Sequence, residues 1–323
     1  VGSSLATVAA RLALVLPQLF GVALIVFLIT HVMPGDPITA LVGDFPASPE
    51  YVAQLRHDLG LDQSLWVQFI AYAEHLLRGD LGYSFAYSSP VIVVVGARLL
   101  PTLLLTVSAL VLGSLIGVGL GVLAAARHLR ASDHLVTAIA LIGFSIPSFW
   151  LSQLLILFFA VHLGWLPSIG MHSLHSDPTG FGAALDAGEH LILPTVALAL
   201  GHLALIARLT RSSMIEALAN DYIRAARAKG VAPLTVLFKH ALRNALLPVL
   251  TAGGYSIGLL LSSSALVETV FGWPGIGRLL YDSLFRRDYP VLVGVFIVTS
   301  LLAILANLIV DLLAVRADPR LRT

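Results

Sequence analysis

Few residues of this chain could do chemistry, and each is best judged by its surroundings. Gly254–Gly258 reads GYSIG, the spacing of a nucleophile elbow, in which a serine sits on a sharp turn between a strand and a helix. Ser256 falls instead midway along an apolar run, where a helix is predicted. A serine hydrolase working inside a membrane would need a histidine on a neighbouring helix, and His202 is the candidate. That intramembrane hydrolase is the alternative function of a different class. Met171–Asp177, MHSLHSD, gathers His172, His175 and Asp177. These are cation-ligand types, but the spacing is not that of a zinc site. A solvated loop is the simpler reading, and no metal is predicted. Nowhere does Gly-Lys precede Ser or Thr, so no P-loop is present to cradle ATP phosphates. Carboxylates are scarce in the apolar runs: Glu268 lies at the end of one and Asp311 near the end of another. Ion-driven carriers keep ionisable groups deep in the bundle, so this scarcity counts against a secondary transporter. With no cysteine, disulfides and thiolate chemistry are excluded. The chain reads as a transport pathway without an engine of its own, and no catalytic residue or bound cofactor is assigned to it.

The elements that position these residues follow from composition. The 323 residues are 58% hydrophobic and only 11% charged, with a mean hydropathy of +0.92. Soluble domains carry about a quarter charged residues, so the chain reads as an integral membrane protein. About 20 helical residues cross the hydrocarbon of a bilayer, and six runs qualify: 12–32, 99–125, 135–163, 191–209, 245–267 and 291–315. The predicted fold is an all-α, polytopic bundle of six transmembrane helices. The net charge of +1 points to no nucleic-acid partner.

Orientation follows from arginine and lysine in the connections. With both termini inside, thirteen of the nineteen basic residues fall on the inner side, whereas residues 164–190 hold none. Residues 33–98 carry three arginines against seven acids. The predicted topology is therefore N-in, C-in, with Arg278, Arg286 and Arg287 as the exception, balanced by Glu268, Asp282 and Asp288. The organisation expected is an N-terminus and first span over 1–33, an outer loop over 34–98, a five-span core over 99–315 and an inner tail over 316–323. Within the outer loop, Ser48, Pro49 and Gly60 bracket one short amphipathic helix, and Leu65, Phe69, Tyr72 and Leu76 form the stripe of a second. Gly113, Gly117 and Gly121 recur every fourth position, which lets two helix backbones approach closely. Gly253, Gly254, Gly258 and Ser262 suggest another such face.

The inner segment over 212–244 holds both lysines of the chain, Lys229 and Lys239, with Arg224, Arg227 and Arg243. Anchoring a topology needs only a few charges, as Arg208 and Arg211 supply. Here DYIRAARAKG is a strong helix former, Gly230 and Pro233 impose a break, and TVLFKHALRN resumes a helix. Helix, break, helix on the inner face is a shape suited to a groove on a soluble partner. The rival reading is adhesion to anionic lipid headgroups.

This stretch resembles the coupling motif of ABC importer permeases: Ala225 and Ala226 match its alanines, Gly230 follows at the right distance, and Leu242 is in register. Arg224, His240 and Arg243 depart from the general pattern. The segments HVMPGDP, RGDLGYSF, DYIRAARAKG, HALRNALLP and VETVFGWPGIGRLLYDSLFRRDYP, spread from His31 to Pro290, resemble the dipeptide and oligopeptide branch, first-permease type. The resemblance implies a bacterial inner-membrane subunit that pairs with a second, homologous permease to form a pathway for di- or oligopeptides. It also implies two ABC ATP-binding subunits on the inner face, which hold ATP and Mg, and an extracytoplasmic substrate-binding protein. Asp221, Tyr222, Arg224, Ala225, Ala226, Arg227, Lys229, Gly230, Val231 and Pro233 would then sit in the ATPase groove. Nickel, glutathione or another small solute is the alternative cargo within the branch. The loop of Glu268, Trp273, Pro274, Gly275, Arg278, Asp282 and Asp288 is expected to be an outer gate or a docking surface for the binding protein. Trp273 is expected at the membrane interface.

Overall fold

Backbone amides cannot be left unpaired in hydrocarbon, so a chain this apolar satisfies them within helices. The computed structural model describes residues 2–32, 48–58, 60–173 and 180–317. In order, these form α1 (Gly2–Val32), α2 (Pro49–Asp58), α3 (Leu65–Leu77), β1 (Tyr83–Ser84), β2 (Ser89–Pro90) and α4 (Val91–Ala126). Then come α5 (Ala131–Ser145), α6 (Ser148–His162), α7 (Phe181–Ala219), α8 (Asp221–Ala228), α9 (Pro233–Val270), α10 (Ile276–Arg286) and α11 (Tyr289–Ala317). Five helices are long and apolar enough to cross a membrane, and a sixth span exists if α5 and α6 count as one. The two-residue hairpin is the only sheet among the described residues.

The third predicted run is the one whose shape differs from expectation. It breaks after Ser145, and α5 and α6 meet at 100°. Pro147 cannot donate a backbone hydrogen bond and pushes the residue before it out of helical geometry, and Ile146 is extended at φ −77, ψ 122. The last turns of α6, Ile156–His162, are wound as a π-helix. Elsewhere the helices outrun their apolar windows: α4 begins at Val91 and α7 continues past Arg211 to Ala219.

The chain divides into two compact units, each described separately. One comprises Leu12–Ala97 and Leu279–Leu302. Here α3 leans its aromatic stripe on α1: the Phe69 ring lies 5.7 Å from Phe20 and 5.3 Å from Phe27, both edge-on. Burial pushes the Tyr72 phenol up to about 12. Ser48 Oγ accepts the Tyr51 amide at 3.2 Å, capping α2, and Gly60 stops it at φ +65. Asp80 accepts the Gly82 amide at 2.9 Å and faces His75 Nδ1 at 3.0 Å. These two bonds hold its carboxyl below the usual carboxylate range. Ser84 donates to the Asp288 carboxylate at 2.5 Å, and Arg286 lies over the Tyr87 ring.

The other unit comprises Val1–Arg11, Arg98–Arg278 and Ala303–Thr323. A close seam joins α4 to α7. A Cβ at Gly117 would stand 2.8 Å from the Leu203 carbonyl, and one at Gly121 2.7 Å from that of Ala207. A Cβ at Gly113 would meet His202 at 2.9 Å. The stripe read from the sequence is therefore the contact face of α4. Gly254 of α9 likewise lies against Val310 of α11.

Gly117→Leu should wedge this seam apart, with a loss of about 1–3 kcal/mol or a failure to fold. Gly119, on the same helix with open space around it, should accept alanine without effect. Thermal denaturation of the purified protein in detergent distinguishes the two.

Candidate functional site

The inner segment is built by two stops and one anchor. α7 ends at Ala219, where Asn220 turns extended at ψ 153, and α8 begins at Asp221. α8 ends in a paired cap: the Gly230 amide donates to the Arg227 carbonyl at 3.0 Å and the Val231 amide to the Ala226 carbonyl at 3.2 Å. This arrangement needs a left-handed residue, and Gly230 supplies φ +75. Pro233 then opens α9, which runs on through Val270.

The anchor is Ile223, fully buried among Val122, Ala125, Met214, Ala217, Val236 and Ala241. It is the only buried side chain of α8, and Ala226 and Val231 pack at the margin of the same cluster. Asp221, Tyr222, Arg224, Ala225, Arg227, Lys229, Gly230 and Pro233 are exposed. Arg224 pairs with Asp221 along the helix, and Asn244 Nδ2 donates to the Tyr222 hydroxyl at 2.9 Å. α8 is thus held by one apolar face and presents a row of cations on the other. The structure brings all ten residues named for this segment together on one elbow.

The loop after α9 is brought together as well, but inward. Glu268 and Trp273 have no exposed surface, and Gly275 is buried. Glu268 Oε1 accepts from Thr102 Oγ1 at 2.8 Å, and Oε2 accepts the Arg278 amide at 3.0 Å. Thr102 Oγ1 in turn accepts the Ile276 amide at 2.7 Å. Trp273 Nε1 donates to the Pro101 carbonyl at 2.9 Å, and Arg278 donates to the Gly272 carbonyl. The expectation was an outer gate or a docking surface; of these, burial takes Glu268, Trp273 and Gly275 off any docking surface, since they form a knot that fastens the loop to α4. Trp273, expected at the membrane interface, belongs to the core around Leu105, Val267 and Phe271. A tryptophan whose N–H reaches a carbonyl can be buried without penalty. Asp288 is buried on Ser84. Pro274 and Asp282 are half-buried, and the outward side of α10 shows Tyr281, Leu284 and Phe285.

Ser256 donates to the Ala252 carbonyl of its own helix at 2.9 Å, and His202 Nε2 meets Ser114 Oγ at 2.9 Å. The hydrolase pairing is not formed. His172 Nδ1 faces Asp186 at 3.3 Å, while His175 and Asp177 lie outside the described residues. Asp133, not singled out from the sequence, and Arg211, read there only as a topology anchor, form an ion pair with contacts of 2.5 and 2.8 Å in which the carboxylate is buried and the guanidinium half-buried. The available signal was an acid among the sparse charges of an inner turn, but its partner lies 78 positions away.

Glu268→Ala would strand the Arg278 amide and Thr102, at about 1–3 kcal/mol for each buried group left unpaired. Glu268→Gln keeps an acceptor oxygen and should lose less. The order of the two thermal midpoints, alanine variant lowest, is the check.

The family described as "Binding-protein-dependent transport system inner membrane component" matches residues 117–323. Its companion, "Binding-prot-dependent transport system membrane comp, N-term", matches residues 6–106. The di/tripeptide transport system permease protein DppB of Pseudomonas aeruginosa (strain UCBPP-PA14) is 42% identical over 332 residues, 98% of this chain and 99% of that one. The dipeptide transport system permease protein DppB of Escherichia coli (strain K12) is 43% identical over 329 residues, 97% of each chain. The glutathione transport system permease protein GsiC of Salmonella paratyphi A is 43% identical over 312 residues, again 97% of each. Among solved structures, the inward-facing MetNI methionine ABC transporter (CY5 native crystal form) superposes with a TM-score of 0.56 at 24% identity, covering 70% of this chain and 97% of that one. That likeness speaks to fold alone. Family and span count together place the chain in the inner membrane as a multi-pass protein, and it belongs to the family of binding-protein-dependent transport system inner membrane components, the permeases of ABC importers.

Proposed function

We propose that this permease carries di- or oligopeptides across the inner membrane, together with a second, homologous permease. Two ABC ATP-binding subunits would drive it, holding ATP and Mg at their own sites, and an extracytoplasmic binding protein would deliver the peptide. The peptide assignment rests on relatives covering 97–98% of this chain that are named for dipeptide and di/tripeptide transport, and the relative named for glutathione transport favours the alternative cargo.

The observation that carries the coupling role is α8 itself. It is short, has Ile223 as its one fully buried side chain, and exposes Arg224, Arg227 and Lys229. A rigid element joined directly to two long helices can act as a lever, provided a partner biases it between two positions. α8 meets that requirement, with α7 on one side and α9 on the other. The cationic face would meet a groove on the ATP-binding subunit, and closure of that subunit on ATP would shift the elbow.

Gly230 is the sensitive position. No atom lies within 4 Å of a Cβ placed there, so a substitution is opposed by backbone conformation and not by space. Proline would fix φ near −65° and remove the amide that bonds Arg227. Uptake of radiolabelled dipeptide by the reconstituted importer, with all subunits present, should fall by more than about tenfold in Gly230→Pro. It should largely persist in Gly230→Asn, because asparagine tolerates the left-handed region. Equal uptake by the proline variant would remove the elbow from the mechanism, and concentrative uptake by the chain alone would overturn the importer reading.

A further inference from the structure

We propose that the Asp133–Arg211 ion pair is the strut that passes movement of α8 into α5, making Asp133 and Arg211 positioning residues of the coupling mechanism. The proposal rests on the coupling role given to α8 above.

Asp133 sits in the first turn of α5 with 1% of its surface exposed. Its carboxylate is fully engaged. Oδ1 accepts from Arg211 Nε at 2.5 Å and Oδ2 from Arg211 Nη2 at 2.8 Å. Oδ2 also accepts the Leu129 amide at 3.0 Å and faces His128 Nδ1 at 3.1 Å. Leu129 is held at φ +63, a conformation that costs a leucine energy and persists only where neighbours impose it. One carboxylate therefore clamps the strained turn between α4 and α5, the start of α5, and a guanidinium of α7.

The position of Arg211 gives the clamp its meaning. It lies on α7 eight residues before Ala219, about two helical turns from the elbow. α7 continues through it without a break, so a tilt or shift of α8 reaches Arg211 within a rigid rod. The apolar cluster around Ile223 ties α8 to α4, α7 and α9 and includes no residue of α5, and aliphatic contacts can slide past one another. A two-bond guanidinium–carboxylate fork has a fixed register and orientation, and separating it would leave the buried Asp133 carboxylate without its cation. Displacement of α7 is thus transmitted to α5, and α5 leads to the 100° bend at Pro147.

The test uses the complete importer. The chain has no cysteine, so a single cysteine at exposed Ala138 on α5 can carry a fluorophore. Asp133→Asn keeps the side-chain shape but removes the charge. Arg211→Lys keeps the charge but cannot form the fork. In Asp133→Asn the subunits should still co-purify and hydrolyse ATP, while peptide imported per ATP falls about two- to thirty-fold, the span found for altered coupling networks. The ATP-dependent change in fluorescence at position 138 should vanish, and Arg211→Lys should fall between this variant and wild type in both readouts. Wild-type values in Asp133→Asn for either readout would overturn the strut. Should Asp133→Asn fail to assemble, Arg211→Lys decides: reduced import per ATP with a diminished signal supports the strut, and wild-type values refute it. An unmodified importer that hydrolyses ATP without uptake would instead strike the importer reading, and is recognised because the wild type itself fails.

Discussion

The seam between α4 and α7 sets the geometry of the larger unit. Three glycines on α4 let its backbone lie against carbonyls of α7, at a distance no side chain would permit. In a bilayer this close contact is the main source of attraction, because lipid tails are as apolar as leucine and burying leucine gains little. α7 is accordingly the most enclosed span, with 61% of its most apolar window buried against 11–33% for the other four. Within this unit α5 and α9 also pack on α7, on a column whose approach to α4 the glycines fix.

Polar groups within this unit follow from the same scarcity of water. Each buried carboxylate has its partners built in: Glu268 takes Thr102 and the Arg278 amide, and Asp133 takes Arg211 and the Leu129 amide. The two lie at opposite ends of the long helices, one on the loop after α9 and one on the turn before α5. Both close a loop onto a helix far away in sequence. An unpaired charge at either place would be too costly to retain, so these pairs define where the loops must sit. A conformational change that preserves them must move the fastened parts together.

What the sequence made legible was whatever rests on local signals. Hydropathy located the spans, Ser48 and Gly60 bounded α2, and Gly230 with Pro233 marked the elbow, because each depends on a few adjacent residues. The stripe of Gly113, Gly117 and Gly121 was legible as a close-packing face, though not which helix it met. Pro147 was visible too, but an unbroken apolar run hid the bend behind it. Trp273 was misplaced because an aromatic beside Pro-Gly suits a membrane interface equally well, and only the Pro101 carbonyl 172 positions away makes burial the better outcome. Asp133 and Arg211 likewise become meaningful only once α5 and α7 are neighbours.

The elbow and the column are one mechanical object. α7 has 39 residues, about 58 Å of helix against roughly 30 Å of hydrocarbon, so it must project from the bilayer. The turns beyond Arg208 are a stalk, with α8 at its tip. A stalk transmits force only if it is braced where it enters the membrane, since a free helix end would flex. Bracing comes from α4 through Gly121 against Thr210 and Ala207, and from the turn ahead of α5 through Arg211. The two braces fall about one turn apart on α7, so under the coupling role proposed for α8 a push on its tip would reach α4 and α5 at the same level of the column.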